Sequence, residues 1–269
     1  MVELITCTPR SLPAEKRLAA AERAIGVNAL NRPPPEAAAA LGAKATDRAF
    51  LAIMTAKRWC RHGVQLTVAF PTHTPADLAA RILQHMNAWS RTANVRFVQT
   101  GDWNDAYVRV TFGDGGYWSY VGTDILEVGA GDPTMNLQGF SMATPDSEFR
   151  RVVRHEAGHT LGFPHEHMRR ELVDLIDPDK AIRYYAATQG WTAGEVRRQV
   201  LTPIDQASIM GTPRPDTNSI MCYQIPGRLT KTGQPIPGGS DIDAVDYGFA
   251  GECYPKPRAA SPPAAPAVS

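Results

Sequence analysis

Residues 155 to 167 read HEAGHTLGFPHEH, and this run constrains the fold more than any other part of the chain. It requires one helix followed by a sharp turn, arranged so that three imidazoles meet at one point. Residues four apart on a helix lie one turn apart on the same face, so His155 and His159 point the same way. Glu156 is rotated from His155 by about 100°, too far to join that pair and close enough to reach a water held between them. Gly162 follows the last helical apolar residue, Leu161, and glycine adopts the positive φ that ends helices at little cost. Pro164 suits a segment that must not continue as helix, and the returning chain brings His165 to the same point. Four of the chain's seven histidines fall in this run, so random scatter is a poor account of them.

Three neutral imidazoles with an open fourth position are the donor set of a catalytic zinc site, whereas four protein ligands make a structural one. The expected cofactor is therefore one catalytic Zn²⁺ held by His155, His159 and His165, with Glu156 as general base. At such a site the pKa of water falls from 15.7 to about 7. H-E-x-x-H alone occurs on helices with no metal role; the longer H-E-x-x-H-x-x-G-x-x-H is far more specific, above all with a methionine turn downstream. A structural site would need a fourth ligand, for which His167 is the nearest candidate, but it sits only two residues past His165 and is expected to point away.

The downstream half is present: residues 219 to 223 read SIMCY. With the extended histidine motif this resembles the metzincin metallopeptidases, whose methionine, here Met221, lies beneath the metal. Phe163, His165 and Glu166 match the astacin version, H-E-x-x-H-x-x-G-F-x-H-E. Tyr223, two residues after Met221, matches a tyrosine that astacins and serralysins use as a mobile zinc ligand. The resemblance implies a phenol that swings off the metal to hydrogen-bond the oxyanion of the tetrahedral intermediate. A second SIM at 208 to 210 offers Met210 as a decoy, but position 212 is Thr, so we favour Met221. The chain departs from astacins at Met168-Arg169-Arg170-Glu171, where the family shows R-x-D-R, and at Cys222, where His is usual. In astacins the residue matching Glu166 meets a new N-terminus made by propeptide removal, and no comparable junction is evident here. Serralysin-type calcium repeats are lacking. The chain resembles an outlying astacin-like or matrixin-like bacterial or fungal member, over roughly residues 59 to 255.

The resemblance implies an α+β zincin fold. A twisted mixed sheet with two helices forms the upper lobe, a mostly helical lobe lies below, and the zinc cleft runs between them. Its expected activity is zinc-dependent endopeptidase action on a protein or peptide. A latent or narrow-specificity amidohydrolase and an inactive peptide-binding domain are the alternatives. The intact base and ligands argue against the last, and chelator-sensitive cleavage would discriminate. A net charge of +1 gives no electrostatic argument for nucleic acid or an anionic membrane, and no apolar run reaches the length of a span. The first residues show no basic start followed by an apolar core, so no secretory signal is read; compartment and oligomeric state stay open. Cys7, Cys60, Cys222 and Cys253 are too few and too spread for a disulfide scaffold. All four could be reduced, or Cys222 could pair with Cys253 or Cys60. Zinc favours thiolate, so Cys7 could occupy the metal and keep the chain latent, although its surroundings do not match the matrixin switch sequence.

The remaining pattern gives the frame. Residues 1 to 57 read as a helical extension, with helices over 13 to 25 and 35 to 57. Residues 58 to 255 read as the catalytic domain and 256 to 269 as a disordered Pro/Ala-rich tail. Alternating Val64, Leu66, Val68 and Phe70 predict a strand. Thr74-Pro75 opens a helix with the stripe Leu78, Ile82, Met86 and Trp89. Further strands are expected at Val95 and Phe97, at Val108 to Phe112, at Tyr117 to Gly122 and at Thr134 to Leu137. Thr144-Pro145 is expected to cap the active-site helix, with Phe149, Val153 and Leu161 packing inward. Met135 to Phe140 resembles the edge strand that metzincins place above the zinc, which makes Asn136 to Gly139 candidate substrate contacts. Helices are expected near 178 to 188 and 192 to 201. A last helix opens at Ser240-Asp241-Ile242-Asp243 and buries Ile242, Val245, Phe249 and Cys253.

Overall fold

The computed structural model describes residues 7, 10–40, 44, 46–203 and 214–257; Met210 and the end of the chain from 258 lie outside them. Three helices come first, α1 (Arg17–Val27), α2 (Pro35–Ala40) and α3 (Arg48–Met54). The sheet follows, with β1 (Val64–Ala69), helix α4 (Ala76–Met86), β2 (Val95–Gln99), β3 (Val108–Thr111), β4 (Tyr117–Ser119) and β5 (Met135–Leu137). Its order is β2-β1-β3-β5-β4. The first four strands in that order run parallel, and β4 pairs antiparallel with β5, Trp118 opposite Asn136. Parallel strands need a crossover and covered faces. Helix α4 supplies the crossover between β1 and β2 and buries the expected stripe of Leu78, Ile82 and Met86, with Trp89 just beyond it.

The chain then enters α5 (Asp146–Glu148), a π turn over Phe149–Val153 and the active-site helix α6 (Arg154–Thr160). After it come α7 (Arg170–Val173), α8 (Pro178–Gln189), α9 (Ala193–Val196) and α10 (Ala244–Cys253). One apolar core lies between the sheet and helices α4 and α6 and includes Trp89, Phe149, Val153, Leu161 and Met221. A second, in the lower lobe, gathers Leu172, Ile176, Tyr185, Val200 and Ile225 with Cys222 and Tyr223. Cleft residues come from both, so each lobe's packing reaches the site.

Several expectations are corrected. Met135 to Phe140 is not the sheet edge: β5 lies between β3 and β4, and β4 is the end strand. Asn136 is buried, and its Nδ2 donates to the carbonyls of Gly113 (2.9 Å) and Gly116 (2.6 Å), while Gln138 Oε1 accepts from Gly115 and Gly116 N–H. Those side chains hold the turn that leads into β4. The proline of each Thr-Pro pair, Pro75 and Pro145, is the N-cap, not the threonine, because each proline is itself still extended (ψ 137° and 147°) and the helix starts one residue later. Thr144 Oγ1 instead accepts from Ser141 N–H. Among the described residues the stretch 35 to 57 holds two helices, and α3 stops at Met54. There Asn31 takes over the backbone, accepting from Ala56 N–H at its carbonyl and from Arg58 N–H at Oδ1. The helix near 192 to 201 keeps one α turn before a π turn over Arg197–Leu201. Val245 of α10 is exposed, and Asp246 turns inward in its place.

Candidate active site

His155 and His159 sit on α6, and the chain reverses at Gly162 (φ 92°). The reversal is tied down on every side. Trp59 Nε1 donates to Thr160 O (2.8 Å) and the Tyr254 hydroxyl to Leu161 O (2.5 Å), which satisfies carbonyls that a helix end leaves unpaired. The turn delivers His165, and the three Nε2 atoms converge, His155 to His165 at 3.1 Å and His159 to His165 at 3.0 Å. His155 Nδ1 lies 2.6 Å from Ile220 O and His159 Nδ1 2.8 Å from Phe163 O. A carbonyl only accepts, so both rings carry their proton on Nδ1 and turn a bare Nε2 lone pair inward. Lone pairs facing one another at this distance call for a cation between them. Tetrahedral zinc with N ligands at 2.0–2.1 Å separates those nitrogens by about 3.3 Å, close to the spacing found. All three imidazoles are buried. Burial holds His159 down at about 4 and His155 and His165 well below the ordinary histidine range, so all three stay in the neutral form that binds metal.

Glu156 is 1% exposed, and neither carboxylate oxygen has a hydrogen-bond partner of normal geometry among the described residues. The Cys7 thiol lies close enough to interact with it, and burial pushes its pKa up to about 8. A buried carboxylate left unpaired is costly. Beside a triad of imidazole lone pairs it fits a group whose partners are a metal ion and the water the ion attracts. The residues present therefore fit zinc.

Met221 lies beneath this cluster: a Cβ added at Gly158 of α6 would meet its Sδ at 2.5 Å. The turn around it is held by Asp246, which the sequence reading had not singled out. Its carboxylate accepts from Ser219 Oγ (2.6 Å) and Ile220 N–H (2.9 Å), and Ser219 Oγ accepts from Met221 N–H (3.0 Å). Since Ile220 O orients His155, Asp246 acts on the histidine cluster through one backbone unit. The one signal was an acidic residue three positions after the cap Asp243, which reads equally as a capping box, and it forms that box too. Asp246→Ala should cost about 2 kcal/mol, because it strands a buried hydroxyl and a buried N–H, and should lower kcat through misorientation of His155. Urea unfolding and steady-state kinetics together check this; full stability and turnover would show that Asp246 only caps α10.

Tyr223 is buried, with its ring 4.3 Å from that of His165 and stacked on His167 at 4.1 Å and 13°. His167 stays outside the histidine cluster, faces the Tyr223 ring and places its Nε2 3.1 Å from Gln199 O, to which it donates. The Tyr223 hydroxyl donates to Cys7 O. Glu166 pairs with Arg169 (3.2 Å) and accepts from Asp216 N–H. All four cysteines are free thiols, so neither pairing of Cys222 is present. The cleft between the lobes has a volume of about 490 Å³, with Tyr117 of β4 on one wall, Tyr184 and Arg228 on the other, and Glu156 and His155 at its floor.

A mixed sheet over the active-site helix, a helical lower lobe and a histidine cluster above a methionine turn define an astacin-like metzincin. Residues 52–225 match the model of the astacin peptidase family, and the chain belongs to that family. It is 30% identical over 124 residues to zinc metalloproteinase nas-27 of Caenorhabditis elegans, a match that spans 46% of this chain and 26% of that protein. The chain therefore spans about a quarter of the length of this curated relative. Among solved structures it resembles myroilysin (32% identity, TM-score 0.70, 75% of this chain and 97% of the other). It also shares the fold of high choriolytic enzyme 1, a hatching enzyme zinc-protease from the medaka fish Oryzias latipes. There the identity is 19% and the TM-score 0.51, over 76% of this chain and 96% of that one.

Proposed function

We propose that this chain is a zinc-dependent endopeptidase whose catalytic domain spans residues 58–255, with residues 1–57 as an N-terminal extension. The observation that carries this is the convergence of three imidazoles, with His155 Nε2 and His159 Nε2 each within 3.1 Å of His165 Nε2, beside the buried carboxylate of Glu156. His155, His159 and His165 would hold the ion. Zinc bound there supplies a Lewis acid that polarises the scissile carbonyl and acidifies water. Glu156 takes the proton from the attacking water onto a carboxylate oxygen and then delivers it to the leaving amine nitrogen. The Tyr223 hydroxyl, a donor within the cleft, turns to the oxyanion as charge develops. An extended peptide would pair with the outer side of β4, the end strand of the sheet, and gain main-chain hydrogen bonds without sequence preference.

The test is cleavage of denatured casein or a mixed peptide library by zinc-loaded protein, with and without phenanthroline. Cleavage that stops with chelator and returns with added zinc is the expected result. Cleavage indifferent to chelator would overturn the proposal. A latent form is a second reading favoured by one observation, the position of Cys7.

A further inference from the structure

The rings of Tyr223, His165 and His167 form a close triangle. Their centroids lie 4.3 Å apart for Tyr223 and His165, 4.1 Å for Tyr223 and His167, and 5.1 Å for the two imidazoles. The His167 ring is only 13° from the plane of the phenol and covers one face of it, while His165 is tilted from that plane by 51°. Both partners of the stack are buried. Such a stack opposes tilting of one ring against the other and leaves sliding within the shared plane open.

The covering ring is anchored twice. Its side chain is tied to the lower lobe, with Nε2 donating to Gln199 O (3.1 Å) in the π turn over Arg197–Leu201. Its backbone turn, Glu166–Met168, is tied to the methionine turn, because Glu166 N–H donates to Met221 O (2.9 Å). Tyr223 follows Met221 by two residues, so the imidazole and the phenol it covers share one frame. His167 Nδ1, by contrast, is buried with no hydrogen-bond partner among the described residues. Packing alone does not account for a histidine here, since an apolar ring would cover the phenol without burying an unpaired nitrogen. What the histidine adds is the tie to Gln199 O, which fixes the orientation of its ring.

We infer that His167 is a positioning residue for Tyr223: its anchored ring sets the plane in which the phenol turns, and so where the hydroxyl arrives. The inference rests on the zinc-peptidase reading above, with Tyr223 as the oxyanion donor. Tyr223 lines the cleft and His167 does not, so His167 acts through the phenol and touches no substrate. A donor has to stand about 2.7–3.1 Å from the developing oxyanion. A turn within the plane of His167 keeps the hydroxyl on the cleft side, where it donates to Cys7 O, and a tilt carries it off line.

The experiment is a double-mutant cycle on the zinc-loaded full chain, with His167→Ala and Tyr223→Phe made singly and together. Loss of an oxyanion donor costs about 10²- to 10³-fold in kcat. With Tyr223 present, His167→Ala should lower kcat about tenfold and leave KM within about twofold. In the Tyr223→Phe background the same substitution should change kcat by less than about twofold. His167→Phe, which keeps the stacking face and loses the anchor, should fall between parent and His167→Ala. In ¹³C-tyrosine-labelled protein, the signals from the two edges of the Tyr223 ring should be separate in the parent and merge in His167→Ala. Equal losses from His167→Ala in both backgrounds would overturn the inference, as would ring signals that His167→Ala leaves unchanged. If no form cleaves any peptide while His167→Ala still releases the ring, the stack stands as the holder of Tyr223 and the peptidase reading falls.

Discussion

Glu156→Gln is expected to leave a folded, zinc-binding protein whose kcat is lower by about 10²- to 10⁴-fold, the range for loss of a positioned general base. That corresponds to about 3–5 kcal/mol of transition-state stabilisation. The substitution keeps the shape of the side chain and removes only its ability to carry the proton, so metal content and the thermal transition of the zinc-loaded protein should match the parent. Glu156 also makes a stability prediction for the metal-free protein. Burial raises its pKa from an ordinary 4.5 to about 8. A carboxyl whose folded pKa lies above its unfolded value favours the fold while protonated, and that contribution is lost as pH rises between about 4.5 and 8. Metal-free parent should therefore lose stability across that window, and metal-free Glu156→Gln should lose less. Turnover near the parent level in Glu156→Gln would remove Glu156 from the mechanism.

Gly122→Ala is expected to lower stability by at least about 3 kcal/mol, or about 6–12 °C in Tm for a domain of this size. Gly122 has φ 49°, a region that costs a side-chain-bearing residue about 1–2 kcal/mol. A Cβ there would stand 1.7 Å from Lys57 O and 2.9 Å from Gly162 Cα. Three backbone segments meet at this point: the end of the N-terminal extension, the turn after β4 and the reversal that delivers His165. Thr123 N–H donates to Lys57 O (2.9 Å) across the same junction. No flexible side chain can yield there, so backbone must move, and Gly162 is the neighbour whose movement carries His165 away from the cluster. Loss of zinc affinity should accompany loss of stability. Gly26→Ala serves as the comparison, because Gly26 lies in α1 with nothing within 4 Å and alanine favours helix there. A Tm for Gly122→Ala within a degree or two of the parent would show that the junction is looser than its geometry states.

The histidine cluster was legible in the sequence because it is local. His155 and His159 are set by helical spacing, His165 by a glycine turn three residues past His159, and periodicity with turn chemistry suffices to place such groups together. Helix α4 and strands β1 to β3 were legible for the same reason, since their apolar stripes match one period. What failed was non-local. The order of the sheet set β4 at the edge and β5 inside, although both read as short strands of similar character. Helix α10 was misread on one face because an aspartate reaches a turn some 25 residues away, and pattern alone treats an aspartate as a solvent-facing group.

The sequence by itself determined that His155, His159 and His165 would meet, since spacing on one helix and one turn brings those side chains together. Only the tertiary structure decided what surrounds them. It set which strand borders the cleft, which buried carboxylate holds the methionine turn, and where a thiol 148 positions before His155 comes to rest. Contacts of that kind depend on how packed layers bring distant backbone together, and no period in the chain records it.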